Sequence, residues 1–399
     1  MKKNLVFIIP SLEAGGAEKS LVNLLNTIDY QKYSVDLVLF KSGGVFAALV
    51  PKQVNFVALN PNFQQFSRGL LSSCLYFALR FQFRLVFHRI AFFLTSRIEK
   101  NEAVAEQKNW KHMRAFITML PKKYDAAIGF LEKTSNYFAV DCVQATTKIG
   151  WIHTTYSNSG MDATWDVPYF EQFKAVIGVS PECVADLQNN FPHLKARFQL
   201  IYNIVSPSLI GQLAAQECED DSLFTTPTTF VTIARLSPEK GLDLAIEAAK
   251  LLVEKGLTFK WLILGDGVER ERLKAQIETH QLEDYVFLLG VRQNPYPYVK
   301  RATVYVQPSR YEGKSMAIEE AKILQKPVVV TAFSSALDQI EPNVTGFIAD
   351  MEGESIAHLL LKVSQDASLC EQVQNQLKTL SLGTESEIDH LYQLIEAHG

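Results

Sequence analysis

The 399-residue sequence predicts an α/β protein built from two doubly wound, Rossmann-like domains. Three observations carry that prediction. Short apolar runs alternate with longer helix-patterned stretches along most of the length, several helix starts carry recognisable signals, and one acidic, aperiodic segment interrupts the series near the middle. Apolar runs separated by helices read as parallel strands with helices packed on both faces of the sheet.

The first series places strands at 5–9, 35–40, 54–59, 126–130, 148–153, 175–179 and 198–202. Its helices include 17–28 and one opened by Ser180 and Pro181, the serine serving as cap and the proline as first helical residue. The second series places strands at 230–234, 261–264, 286–289, 304–307 and 327–331, with helices at 242–253, 269–279 and 316–324 between them. Residues 206–229 hold the ECEDD and TTPTT segments without a sustained apolar period, and read as the linker. The expected organisation is therefore an N-terminal domain over 1–205, with an insertion at about 60–120, and a C-terminal domain over 230–381. Two such domains are expected to face each other across a cleft, because open α/β sheets bind ligands beyond the carboxyl ends of their strands.

A composition of 47% hydrophobic and 21% charged residues is that of an ordinary soluble protein. The five cysteines are scattered and lack a CxxC pair, which fits a reducing compartment and gives neither a disulfide framework nor a zinc site. The apolar run after Met1 ends at Pro10, too short for a secretion signal, so a cytoplasmic location is expected. The formal charge of -4 conceals an asymmetry: no acid occurs between Asp36 and Glu99, while seven lysines and arginines do. From Phe63 to Ile98 this basic block is also crowded with aromatics, yet its charge-free stretches fall short of the roughly 20 residues of a spanning helix. Nothing in this pattern calls for a nucleic-acid partner.

Chemistry is expected on the loops that follow strands. In RYEGKSMAIEEA, Glu312 and Glu320 stand eight residues apart, with Gly313 in the loop and Ser315 placed to cap the following helix. Helical geometry puts Glu320 inside the apolar stripe of that helix, where a carboxylate needs partners, either ligand hydroxyls or protein donors. Glu312 reads either as a ligand-facing acid or as a loop acid paired with Arg310 or Lys314. In ARLSPEKGLDL, Arg235 ends a strand and Lys240 stands at the mouth of a helix, a position that favours an anion sharing the site; solvated loop charges are the plainer reading. GGAE opens the first helix, where Gly15 and Gly16 permit close backbone approach and positive φ. GDG at 265–267 reads as a tight turn without chemistry of its own, and WIH puts His153 just beyond a strand. No Asp-x-Asp pair stands at a strand end, so no metal or other cofactor is expected and cations with helix dipoles would face a departing diphosphate.

Taken in order, GGAE, WIH, ARLSPEKG, GDG, LGV (289–291) and YEGKSMAIEEA resemble the retaining GT-B glycosyltransferases of family 4, over nearly the whole chain except about 60–120. The resemblance implies a nucleotide-sugar donor and a saccharide or polyprenyl-linked acceptor. It implies Glu312 at the donor sugar, Glu320 at the ribose, Arg235 and Lys240 as the diphosphate clamp, Gly16 in the first glycine loop and His153 beside the donor sugar. Backbone amides of Gly313, Lys314, Ser315 and Met316 would contact sugar or phosphate, and Val291 to Asn294 would border the base. It also implies that a C-terminal helix at about 385–397, within 382–399, crosses back onto the first domain. Lys314 and Ser315 depart from the residues common in relatives, which leaves the donor sugar undefined. The competing functions are a non-hydrolysing nucleotide-sugar epimerase on the same scaffold and a noncatalytic partner of a companion protein.

Within the basic block, Arg80, Arg84 and His88 recur every four residues, surrounded by phenylalanines. That composition suits a helix lying on an anionic membrane surface, and equally a helical insertion packed on the first domain with its arginine stems along the surface.

Overall fold

The computed structural model describes residues 2–13 and 15–396. It divides into two compact units, one of Met1–Ile204 with Glu385–Gly399 and one of Val205–Thr384. Unit one contains strands β1 (Lys3–Ile9), β2 (Tyr33–Leu39), β3 (Asn55–Val57), β4 (Lys123–Gly129), β5 (Gln144–Ile152), β6 (Ala175–Gly178) and β7 (Phe198–Leu200). They form one parallel sheet in the order β3-β2-β1-β4-β5-β6-β7. Unit two contains β8 (Thr228–Ile233), β9 (Phe259–Leu264), β10 (Val286–Gly290), β11 (Val304–Gln307), β12 (Val328–Thr331) and β13 (Phe347–Ala349), a parallel sheet in the order β10-β9-β8-β11-β12-β13.

Both sheets are buried on two faces. In β1, Leu5, Phe7 and Ile9 enter one core while Val6 and Ile8 enter the other, because successive strand side chains point to opposite sides. That is why these strands read as continuous apolar runs. The C-terminal helix Ile388–Glu396 closes the first of these cores with Ile388, Leu391, Leu394 and Ile395. Polar contacts fix its register: Tyr392 stacks on Tyr33 with ring centres 4.7 Å apart and accepts from the Asp29 amide at 2.8 Å, while the Tyr33 hydroxyl donates to Glu396 at 2.7 Å. The expected last residue of this helix, Ala397, lies outside the described residues.

Several expectations are corrected. The 206–229 segment is no bare linker: it contains the helix Pro207–Ala214, and it buries Ile210, Leu213 and Leu223 in unit two. Its short amphipathic turn was hidden by the polar residues on either side. Strand β3 is only three residues long, and β13 has no counterpart in the sequence reading, since three residues are too few to display a period.

The insertion is a set of helices at Pro61–Phe66, Leu70–Ala78, Phe83–Ile98 and Glu102–Met113. Part of its aromatic content is ordinary core, with Phe66 against Phe116 at 4.7 Å and Phe77 against Phe116 at 5.2 Å. The cationic row expected at Arg80, Arg84 and His88 is not continuous, because the chain turns between the two central helices and Phe81 takes a positive φ of 58°. Arg80 lies over the Tyr76 ring, and His88 turns inward to meet His112, their Nδ1 atoms 3.1 Å apart.

One buried polar cluster ties the insertion to neighbouring helices of unit one. Asp166, 1% exposed, accepts from Gln107 at 2.9 Å and from the hydroxyls of Tyr137 and Tyr156, each at 2.5 Å. Burial pushes its carboxyl up to about 6, with these donors pulling the other way. Tyr156→Phe is expected to cost about 1.5–3 kcal/mol, the usual worth of a hydrogen bond to a charged group. Urea unfolding at neutral pH checks this, and a loss below the scatter of the measurement would sink it.

Candidate functional site

In a doubly wound sheet the ligand crevice opens where strand order reverses. In unit two that point lies between β8 and β11, and the loops after these two strands carry the charged residues singled out from the sequence. The loops are pressed together at the backbone. After β8 the chain makes one tight turn, Pro238–Lys240, then Gly241 at φ 61° starts the helix Leu242–Glu254. A Cβ on Gly241 would lie 2.0 Å from the Pro308 carbonyl oxygen, so both the conformation and the approach demand glycine.

Polar bonds lock the same junction. The Arg310 amide donates to the Glu239 carbonyl at 2.8 Å, and the Arg310 guanidinium grips both Asp243 oxygens at 2.7 Å. That bidentate hydrogen bonding from Arg310 holds the Asp243 carboxyl below the ordinary carboxylate range. Lys240 is thereby placed with Nζ 3.0 Å and 2.9 Å from the two Glu312 oxygens. The plainer of the two readings of Glu312, a pairing with Arg310 or Lys314, is thus corrected: Arg310 is engaged by Asp243, and Lys240 is the partner.

Glu312 is 8% exposed and tightly held. Its Oε1 also accepts from Ser309 Oγ at 2.7 Å and from Gln307 Nε2 at 3.0 Å. The Tyr305 hydroxyl donates to Gln307 Oε1 at 2.6 Å, which fixes the amide with its NH2 toward Glu312. Among the described residues Oε2 accepts only from Lys240. That oxygen retains room for a further donor.

Glu320 lies on the helix Met316–Ile323 and is 1% exposed, as its place on the apolar stripe required. It accepts from the Tyr296 hydroxyl at 3.0 Å, and burial together with this carboxylate raises the Tyr296 phenol far above its usual range. Ser315 does not cap the helix through its side chain. Instead the Gln339 amide brackets its backbone, accepting from Ser315 N at 2.8 Å and donating to Ser315 O at 2.9 Å. Ser335 Oγ donates to the Glu312 carbonyl at 2.9 Å, so the EGKS loop is tied to the segment after β12. Gly313 differs from Gly241: a Cβ there would meet nothing within 4 Å. Lys314 is exposed, and Met316 is half-buried.

Arg235 is exposed on the loop after β8; its carbonyl accepts from the Ser237 amide at 2.9 Å, while its guanidinium has no hydrogen-bond or ion-pair partner among the described residues. GDG is more than a turn. A Cβ on Gly265 would strike the Ala234 carbonyl at 1.9 Å, and the Leu236 amide donates to the Asp266 carbonyl at 3.0 Å, so this turn braces the Arg235 loop. Val291 follows β10, while Asn294 is occupied structurally, donating to Leu213 O at 2.8 Å and Gln216 Oε1 at 2.9 Å.

Unit one reverses between β1 and β4. Gly15 and Gly16 follow β1 and open the helix Gly16–Thr27, but neither uses a positive φ; Gly15 is extended at φ -151° and a Cβ on Gly16 would meet nothing within 4 Å. His153 follows β5, its amide donating to Glu132 Oε2 at 3.2 Å from the loop after β4. Both ring nitrogens are sealed from solvent without a partner among the described residues, and burial pushes the imidazole down to about 3. Burial also raises the Glu132 carboxyl, and Lys133 beside it takes a positive φ of 61°. The sequence reading missed Glu132, Gln307, Ser309, Asp243 and Tyr296. Glu132 follows an apolar run as the other candidates do, whereas the rest are recognised only by what they touch.

The fold and site define a class: two doubly wound parallel α/β units with charged loops at the strand-order reversal, the GT-B architecture. Residues 216–379 match the family described as glycosyl transferases group 1. Similar sequences include the amylovoran biosynthesis glycosyltransferase AmsK of Erwinia amylovora, 34% identical over 148 residues, 35% of this chain and 36% of the relative. Another is the N-acetylgalactosamine-N,N'-diacetylbacillosaminyl-diphospho-undecaprenol 4-alpha-N-acetylgalactosaminyltransferase of Campylobacter jejuni, 29% identical over 197 residues, 49% of this chain and 52% of the relative. The chain thus spans about half or less of the length of these curated relatives. Among solved structures, Staphylococcus aureus TarM in complex with UDP superposes with a TM-score of 0.66 at 16% identity, covering 99% of this chain and all 100% of that one. Anabaena Alr3699/HepE in complex with UDP and glucose gives 0.64 at 18% identity, covering 98% of each chain. At these identities the structures establish the shared fold.

Two outcomes follow from the site geometry. Gly241→Ala is expected to cost roughly 1–3 kcal/mol for the left-handed conformation alone, read by urea unfolding, and to displace Lys240. For His153, imidazole NMR signals should stay in the neutral form as pH falls through the ordinary histidine range. Because the unfolded chain takes up that proton first, stability should decline as pH drops below about 6.5. A His153 titration near its ordinary value would contradict the buried, unpartnered ring.

Proposed function

We propose that the chain transfers a hexosyl group from a nucleotide-sugar donor to a saccharide or lipid-linked saccharide acceptor, with retention, in bacterial surface polysaccharide assembly. The observation that carries this reading is the Lys240–Glu312 pair at the strand-order reversal of unit two, with one Glu312 oxygen still able to accept. The relatives named for amylovoran synthesis and for a diphospho-undecaprenol acceptor support the pathway class. Bound UDP in the TarM and HepE structures supports a nucleotide donor.

Each residue then has a task. Arg235, whose guanidinium is exposed and unpaired among the described residues, and Lys240 stabilise the negative charge on the departing diphosphate. Glu312 accepts from donor-sugar hydroxyls, Glu320 from the ribose, and Gly313 leaves the space in which the sugar lies. Amides of the loop 313–316 and the N-terminus of the helix Met316–Ile323 add partial positive charge. Val291 and Asn294 border the base through backbone groups. The bond from the anomeric carbon to the phosphate oxygen breaks with oxocarbenium character, its electron pair leaving with the diphosphate. The acceptor oxygen bonds the same face of that carbon, and its proton passes to the departing phosphate. No metal is assigned a step.

The test incubates the protein with nucleotide sugars, first alone and then with acceptor. Release of nucleoside diphosphate that requires acceptor supports transfer, whereas an epimerised donor without acceptor would replace the reading with an epimerase. Lys240→Ala should lower turnover by about 10² or more, the scale of losing one charge-stabilising donor. Unchanged turnover would remove Lys240 from the clamp. Loss of thermal stabilisation by both UDP and GDP in the wild type would favour a noncatalytic partner.

A further inference from the structure

The helix Phe83–Ile98 has ten apolar side chains among its sixteen residues, yet none of the sixteen is buried. Its inner side, Leu85, Val86 and Phe92, packs partly on the first unit's core. The outer side is apolar as well. At about 100° per residue, Phe83, Phe87, Ile90, Leu94 and Ile98 fall in one stripe, and all five are exposed. Arg97 lies to one side of the stripe and Arg84 to the other, both exposed. On the preceding, contacting helix Leu71 and Leu75, with Leu79 just past its end, form a second outward row, with Leu71 85% exposed. Phe81, at the turn between the helices, is 81% exposed in a left-handed conformation that an aromatic residue rarely adopts.

Monomeric soluble proteins seldom leave an apolar surface of this extent open. We propose that this helical hairpin docks on an anionic lipid bilayer, with the phenylalanine and leucine rows entering the interface and the arginines meeting headgroups. The charge pattern selects that occupant. No acid stands between Asp36 and Glu99, so the hairpin offers cations to whatever covers it. A second copy joined through the same face would set Arg84 and Arg97 against their like. The helix, about 24 Å long, is too short to cross a hydrocarbon core of about 30 Å, and no helix among the described residues is long and apolar enough to span. It lies on the surface instead. This surface stands whether or not the second unit transfers a sugar.

Flotation with vesicles of phosphatidylglycerol and phosphatidylcholine, against vesicles of phosphatidylcholine alone, tests the proposal on the full chain. The protein should float with the anionic vesicles and stay behind with the neutral ones. Phe83→Ser with Phe87→Ser should abolish flotation, and Arg84→Glu with Arg97→Glu should weaken it about tenfold or more. Leu337→Ser, an exposed change in unit two, should float as the wild type does. All these positions are exposed, and unchanged circular dichroism and melting temperature verify the fold of each variant. Equal flotation on both lipids, none on either, or hairpin variants that float like the wild type would each overturn it. So would a lipid-free dimer, seen by sedimentation, that Phe87→Ser dissociates.

Discussion

The backbone contact between Gly241 and Pro308 is the constraint on which the second unit's site depends. Two loops from adjacent parallel strands can place Lys240 within bonding distance of Glu312 only if their main chains come closer than any Cβ allows. The Arg310–Asp243 clamp and the bond from the Arg310 amide to the Glu239 carbonyl then hold that approach from the side. Lys240 is therefore positioned by backbone crowding before any ligand contributes. A pre-set cation avoids the reorganisation that a mobile lysine would require as charge develops on a leaving group.

The pair also solves an electrostatic difficulty. A carboxylate as buried as Glu312 needs donors, and Ser309, Gln307 and Lys240 supply them. Glu320 follows the same logic through Tyr296. Both acids are thus kept ready as acceptors by donors belonging to the protein. The glycines divide along the same line: Gly241 and Gly265 are required by the protein's own close contacts, whereas Gly16 and Gly313 face open space.

Strands such as β1, β8 and β11 were legible because a sheet covered on both faces imposes continuous apolar runs, and that signal is local. Glu320 was legible too, since helical periodicity alone sets it among apolar neighbours. The partner of Glu312 was not. Lys240 is 72 residues away, and nothing in either loop's sequence distinguishes it from Arg310 or Lys314. Choosing between them needs the β8–β11 adjacency, a property of strand order that no short window contains. The burial of His153 and the inward turn of His88 escaped for the same reason, since each depends on elements distant in sequence.

The insertion makes sense of the charge asymmetry. With a formal charge of -4 overall and seven cations in an acid-free segment, the remainder of the chain is more acidic than the total suggests. Such a body is repelled by an anionic surface while the hairpin is attracted, so the field of the whole molecule favours one approach orientation. Apolar insertion alone would not discriminate between faces of the protein. Arg84 and Arg97 flanking an exposed apolar stripe therefore matter as much for orientation as for adhesion. An oriented first unit is what an acceptor anchored in the same bilayer would require.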